Sequence, residues 1–386
     1  MGLMSLMSLM GLMGLMGCSE DAEDFKGGVA IEVRSSVTDY EEADGSNKAN
    51  RAYGAGAITR AWLPPSGYTV FTEDNSISIF FTQTGEEPEG GYKKEHFYKN
   101  GDKWNTDKDD LEPETYYLYG FVPHDNSIGA SISKLPGEGK TYADGAILTI
   151  TNLPSIMSTD FCVVVGAKNG KDDYKENQDY SVTGLKRGDF EYIARASGEG
   201  VPGNNYVYLL FDHVYAAMRV RIKVYGAYND IRTIKLKELK LKTCDGDVPT
   251  PTKSNATITL TKTTDGSDPI SAFSFTPTGG GVAEGSMYSD PEGLTLTPDY
   301  SIFMNHFMPQ GVSKFILESS YDVYDKQGNL IRPNCKATNT IILEDLISGQ
   351  TVTRRGARYT INLTVRPTYL YIMSEPDADN PKVVVN

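Results

Sequence analysis

Apolar and polar residues alternate along this chain in short runs instead of recurring every three or four positions. In "AMRVRIKVY" (217-225), Met218, Val220, Ile222 and Val224 fall on one face and Arg219, Arg221 and Lys223 on the other, the period of a strand with one wet side. Runs rich in Val, Ile, Tyr, Phe and Thr recur at "VAIEV" (29-33), "SISIFF" (76-81), "TYYLYGFVP" (115-123), "AILTIT" (146-151), "DFCVVVGA" (160-167), "YVYLLF" (206-211), "ATITLT" (256-261), "KFILESSYDVYD" (314-325) and "RYTINLTVRPTYLYIM" (358-373). In "IKLKELKLK" (234-242) the apolar phase shifts between Leu236 and Leu239, which predicts a bulge near Lys237-Glu238. Between the runs, Asn100-Gly101, Asp144-Gly145, Asn169-Gly170, Asp265-Gly266 and Gly328-Asn329 accept the positive φ of tight turns. The pattern predicts an all-β chain, and the turn spacing favours sandwiches. At "NTIILEDLISG" (339-349) a helical turn and a loop with one strand are both compatible with the spacing.

The first seventeen residues break this pattern. Met1 to Gly17 is a run of Leu, Met and Gly with a little Ser and no charge, shorter than the roughly twenty residues that cross a bilayer. It ends at Leu15-Met16-Gly17-Cys18, a small residue before a cysteine, and resembles the lipobox of bacterial lipoproteins, whose cysteine is acylated. Residues 1–17 are therefore expected to be a lipoprotein signal peptide, and Cys18 the lipidated residue. Ser19 to Asp24 carries four acids in six residues, too charged for a core, and reads as a solvated tether. It is similar to the acidic export signal of surface lipoproteins in Bacteroidetes.

Length and composition change the picture less. With 386 residues and 39% hydrophobic content, two domains with buried cores are expected. "ASGEGVPGNN" (196-205) has no apolar period and marks a boundary near 205. A formal net charge of -14 argues against polyanionic partners, and nucleic acid is excluded as one. With Cys18 lipidated, Cys162, Cys244 and Cys335 allow at most one disulfide.

Candidate chemistry is sparse. The four histidines, His96, His124, His213 and His306, form no zinc-type pair and accompany no nucleophile elbow. His213, between two apolar runs in "LLFDHVYAAM", reads as a hydrogen-bonded histidine at a strand junction. The acidic clusters "DKDDLEPE" (107-114) and "EPDADN" (375-380) lack the spacing of a calcium loop, and the "GGG" at 279-281 precedes no helix that could cradle phosphate. The expectation is a protein that is not an enzyme and uses no metal or cofactor.

Four strings resemble the fimbrillins of Bacteroidetes, whose members build type V pili: "GAITRAW" (56-62), "YYLYGFVPHD" (116-125), "FDHVYAAMRVRIKV" (211-224) and "YTINLTVRPTYLYIMSEPDADNP" (359-381). The resemblance implies two tandem transthyretin-like β-sandwich domains after the lipoprotein signal and short acidic tether. The expected organisation is 18–60 for tether and removable N-terminal strand, 61–205 and 206–373 for the two domains, and 374–386 for the C-terminal tail.

It also implies export to the outer membrane and cell surface, proteolysis after an arginine by a trypsin-like protease, and polymerisation with other pilus subunits by strand exchange. Arg60 in "AITRA" best fits the cleavage position. Arg51, in a loop of small polar residues, is the second candidate. Val383, Val384 and Val385 read as a short strand of about 15 Å, and the resemblance makes them the donor strand. A host or bacterial surface receptor is a further expected partner. The alternative reading, a surface glycan-binding lipoprotein that stays lipid-anchored, rests on the same signal and on the 24 tyrosines.

Overall fold

The computed structural model describes residues 31–43, 71, 74–84, 92–101, 103–106, 111–170, 184–194, 206–367 and 381–385. Nearly all of their regular structure is strand, with two four-residue helices, Gly226–Asn229 and Leu343–Leu346. Cys18, Arg51 and Arg60 lie outside the described residues. Among the described residues no helix is long and apolar enough to cross a membrane.

The N-terminal half is built on a closed ring of strands. Cys162–Asn169, Tyr206–His213, Glu32–Val37, Lys103–Asn105, Lys93–Asn100, Ser76–Thr82 and Thr115–Val122 follow one another by hydrogen bonding, and the last pairs back onto the first. The inward faces of these strands fill the ring with Val33, Ile77, Ile79, Phe97, Trp104, Leu118, Val164, Val207 and Leu209, all fully buried. Alternate residues point outward. Phe80, Tyr119, Phe121, Val163, Val165 and Leu210 form a second core beneath the four-stranded sheet Gly129–Lys134, Gly145–Pro154, Lys253–Thr261 and Ile270–Pro277. Strands buried on both sides show little polar alternation, which is why "CVVVG" is a continuous apolar run; in "SISIFF" the alternating Ser76 and Ser78 are buried as well. Gly120 lies where the strand Thr115–Val122 passes its neighbour, and a Cβ there would stand 2.3 Å from the Ser78 carbonyl oxygen.

The C-terminal half is a two-sheet sandwich. One sheet orders Ser301–Met308, Ala216–Val224 and Ala357–Pro367; the other orders Thr233–Asp245, Lys314–Tyr324 and Leu330–Ile342, with Glu284–Thr295 on the free side of Thr233–Asp245. Met218, Val220 and Ile222 of the first sheet meet Leu239, Leu241, Phe315 and Leu317 of the second in one buried cluster. The register of Thr233–Asp245 slips between Leu236 and Glu238, the position where the apolar phase shifts. The halves are joined by a bridge between Met157 and Phe307, and Phe307, Tyr215 and Ala217 pack into the core under the four-stranded sheet.

The expected boundary near 205 precedes a strand, Tyr206–His213, that completes the ring, and Lys253–Thr261 and Ile270–Pro277 cover the ring from outside.

Candidate functional site

The segment 31–43 runs across both halves, and its polar residues account for the course it takes. Glu32–Val37 is parallel to Tyr206–His213, from Glu32 opposite Tyr206 to Val37 opposite Phe211, and touches Lys103–Asn105 through Val33 and Trp104. Val33 and Val37 point into the ring, and between them Ser35 accepts a 2.8 Å hydrogen bond from the Trp104 indole. The flanking charges are paired: Glu32 lies 2.6 Å from Arg34 and 2.6 Å from Lys103. The polar run "RSSV" thus forms a buried strand in which Arg34 is paired with Glu32 and Ser35 with Trp104.

Past Val37 the chain crosses a buried polar cluster. Thr38 donates its hydroxyl to Asp212 at 2.5 Å, and Tyr40 donates to Asp160 at 2.7 Å while its ring stacks on His213 at 3.6 Å. His213 sits between the Asp160 carboxylate, 2.8 Å from Nδ1, and the Thr38 carbonyl, 2.5 Å from Nε2. Both ring nitrogens face acceptors, so both carry hydrogen and the ring is an imidazolium. Burial pulls its pKa down, but Asp160, Asp212 and the Thr38 carbonyl outweigh burial and the net displacement is upward. Arg187 and Arg355, each 3.3 Å from Asp212, outweigh that carboxylate's burial and hold its pKa below the usual range.

The segment ends on the C-terminal sandwich. Glu41–Glu42 pairs in parallel with Ala357 and Arg358, and the Glu42 carboxylate forms an ion pair with Arg358. The strand Pro381–Val385 pairs antiparallel with Leu363 to Pro367 of the same Ala357–Pro367 strand. Arg358 and Leu363 both also pair with Ala216–Val224, so Glu41–Glu42 and Pro381–Val385 occupy the same, outer edge. Val383, Val384 and Val385 therefore lie opposite Val365, Thr364 and Leu363 of their own chain.

Asp160, Cys162 and His213 place an oxygen, a sulfur and a nitrogen close enough to suggest a metal. The 2.8 Å between Asp160 and His213 is a hydrogen-bond separation, shorter than the roughly 3.3 Å between two ligands at tetrahedral zinc with bonds near 2.0 Å. Burial first, and then Asp160, push the Cys162 thiol well up, so it is neutral and inert. A second grouping, His96 and His124 stacked at 3.8 Å with each Nδ1 3.0 Å from Ser78 Oγ, resembles a nucleophile with its base. Ser78 is fully buried, so its hydroxyl meets no substrate. Sequence reasoning found His213 but not Asp160, Thr38 or Tyr40, which are distant in sequence and carry no spacing signal.

Neither a family model nor a curated protein sequence matches the chain. Solved structures do. A protein from Bacteroides fragilis, provisionally described as a cell adhesion protein, is 9% identical over 93% of this chain and 97% of its own, with a TM-score of 0.39. A fimbrial protein from Bacteroides vulgatus is 14% identical over 93% and 98%, with a TM-score of 0.34. The fimbrial anchor protein Mfa2 from Porphyromonas gingivalis is 10% identical over 92% and 95%, with a TM-score of 0.26.

Proposed function

We propose that this chain is a fimbrillin-type subunit, structural or adhesive, of a type V cell-surface pilus. In this reading it is exported as a lipoprotein through Cys18, cut after Arg60 or Arg51, and assembled by strand exchange. One observation carries the proposal. Glu32–Val37, which precedes both arginines in the chain, is an interior strand of a closed ring rather than an appendage to it. Cutting between Ala43 and Phe71 leaves that strand held by non-covalent contacts alone. Its departure opens a gap between Tyr206–His213 and Lys103–Asn105, lined by apolar side chains and unpaired backbone groups, which an incoming strand fills.

The Pro381–Val385 strand supports the donor role, because it already pairs as a strand at an edge that a partner could take. The C-terminal two-sheet core supports the tandem transthyretin-like arrangement that the family resemblance implies. This reading assigns the chain no catalysis, and its partners are other pilus subunits, a trypsin-like protease, a surface receptor and, before processing, the outer membrane.

Limited trypsin treatment of the purified precursor tests it. The expected product begins at Ala61 or Ala52 and forms heat-labile, SDS-resistant ladders. A cleaved chain that stays monomeric at every concentration overturns the assembly mechanism.

A further inference from the structure

The outer faces of the two C-terminal sheets carry charge in different ways. On Thr233–Asp245 three of the four lysines are ion-paired: Lys237 lies 2.7 Å from Asp322, Lys240 3.1 Å from Glu238, and Lys242 2.8 Å from Glu318 and 3.4 Å from Glu284, while Lys235 stands 5.1 Å from the centre of the Tyr324 ring. That face is a lattice of partly exposed ion pairs with a reduced net field.

The outer face of the opposite sheet carries a row of cations. Arg219, Arg221 and Lys223 project from Ala216–Val224, opposite Thr360, Asn362 and Thr364 of the adjacent strand, and Arg366 continues the row past Tyr225. Among the described residues no carboxylate lies within ion-pair distance of Arg221, Lys223 or Arg366. Their charged groups stand instead over aromatic rings, Arg221 and Lys223 each 4.5 Å from the centre of Tyr300 and Arg366 5.4 Å from that of Tyr225. Arg221 Nε and the Asn362 side-chain oxygen are shielded from solvent without a hydrogen-bond partner. Burial first, and then the neighbouring charge of Arg221, pull the Arg219 guanidinium below its ordinary pKa. In a chain of net charge -14, whose acids pair with lysines on one face, like charges have been collected on the other.

We propose that this face, built on Arg221, Lys223, Arg366 and Tyr225, binds an acidic polysaccharide, through uronate carboxylates or sulfate esters. Charge complementarity selects an anion, and successive outward residues on a strand stand about 6.7 Å apart, so the row meets a repeating anion better than a single one. The neighbouring apolar groups select a sugar. Tyr225, 46% exposed, and Ile302, 37% exposed, offer an apolar ledge for a sugar ring beside the cations. An acidic peptide or a phospholipid surface uses the charges and leaves that ledge idle. The net charge of -14 weighs against a polyanion that must lie along the whole surface, but screening at physiological salt confines its repulsion to about 8 Å, so a local row of cations can still meet a short anionic stretch. The site does not depend on pilus assembly, because it lies on the sheet face and the proposed exchange uses strand edges.

The full chain is tested by affinity electrophoresis in polygalacturonate (uronate), heparin (sulfate ester) and dextran (neutral), at low salt and at about 0.3 M. The expected result is retardation by at least one acidic polymer and none by dextran, weakened at the higher salt. The triple variant Arg221→Gln, Lys223→Gln, Arg366→Gln should lose about tenfold or more in affinity, as removal of several phosphate-type contacts does elsewhere. Lys240→Gln with Lys242→Gln, on the ion-paired face, should bind as the parent does. If the triple variant melts early, Lys223→Glu alone, at a half-buried surface position, gives the same readout. Unchanged binding in these variants, equal retardation by dextran, or tighter binding to poly-glutamate or to anionic vesicles than to either acidic polysaccharide overturns the proposal.

Discussion

His213 Nδ1 lies 2.8 Å from Asp160 Oδ2, with both side chains sealed from solvent. Around this pair, Tyr40 and Thr38 tie the N-terminal segment to a ring strand, and Arg355 ties the C-terminal half to Asp212. The cluster adds buried side-chain contacts to the strand pairings that already join these three parts of the chain.

Asp160→Asn should cost about 3–5 kcal/mol of stability, because it strands a charged imidazole in a site built for an ion pair. Tyr40→Phe, which removes one hydrogen bond to a charged acceptor, should cost about 1.5–3 kcal/mol. Urea denaturation followed by circular dichroism measures both. A loss below 1 kcal/mol for Asp160→Asn contradicts the assignment of His213 as an imidazolium.

Stability should depend on pH with a sign set by this cluster. The His213 pKa is raised above 6.5 in the folded chain, so its contribution is complete below pH 6.5 and fades as pH rises through the folded value. The Asp212 pKa is lowered below 3.8, so its contribution is present above pH 3.8 and fades as pH falls through the folded value. The urea midpoint should therefore peak between these limits, and His213→Gln should flatten the alkaline limb. An alkaline limb of equal slope in that variant assigns the dependence to other groups.

Trp104 should report the departure of the N-terminal strand. It is fully buried, lies opposite Val33 and donates to Ser35, so losing Glu32–Val37 wets its indole. After trypsin treatment its emission should shift to the red, and shift back as ladders form. Emission that never moves, despite cleavage and loss of the fragment, means that the ring closes without the strand.

Removing residues 381–386 should leave a folded monomer, because Pro381–Val385 pairs only along an outer edge. The melting temperature should change by a few degrees, while ladder formation after cleavage should stop. Ladders of normal length from the truncated chain place the donor strand elsewhere.

Gly120→Ala should destabilise the ring by about 1–3 kcal/mol, since its Cβ would meet the Ser78 carbonyl, which is backbone and cannot swing aside.

Much of the strand content was legible, and so was one irregularity. The alternation in 217-225 predicted which residues of Ala216–Val224 face inward, and the phase shift at Lys237-Glu238 located the bulge. At 339–349 both readings were partly met, with a strand running to Ile342 and a single helical turn after it. Pairing was not legible. Nothing in "YVYLLF" says that it closes a ring against Glu32–Val37, because alternation fixes a face and leaves the partner open. The first strand itself lies later than "VAIEV" suggests: Glu32–Val37 includes Arg34 and two serines, whose burial depends on partners far along the chain. The site was legible only at His213, since Asp160 and Tyr40 reach it through the fold.

The closed ring has a consequence for the journey before assembly. Strand sheets with open sides invite other chains, and a ring has none. On the proposed reading, Glu32–Val37 acts as a chaperone carried in the same polypeptide, keeping the precursor inert in transit. Hydrolysis of one peptide bond then releases it, and the chain becomes adhesive to its own kind only where the protease is found.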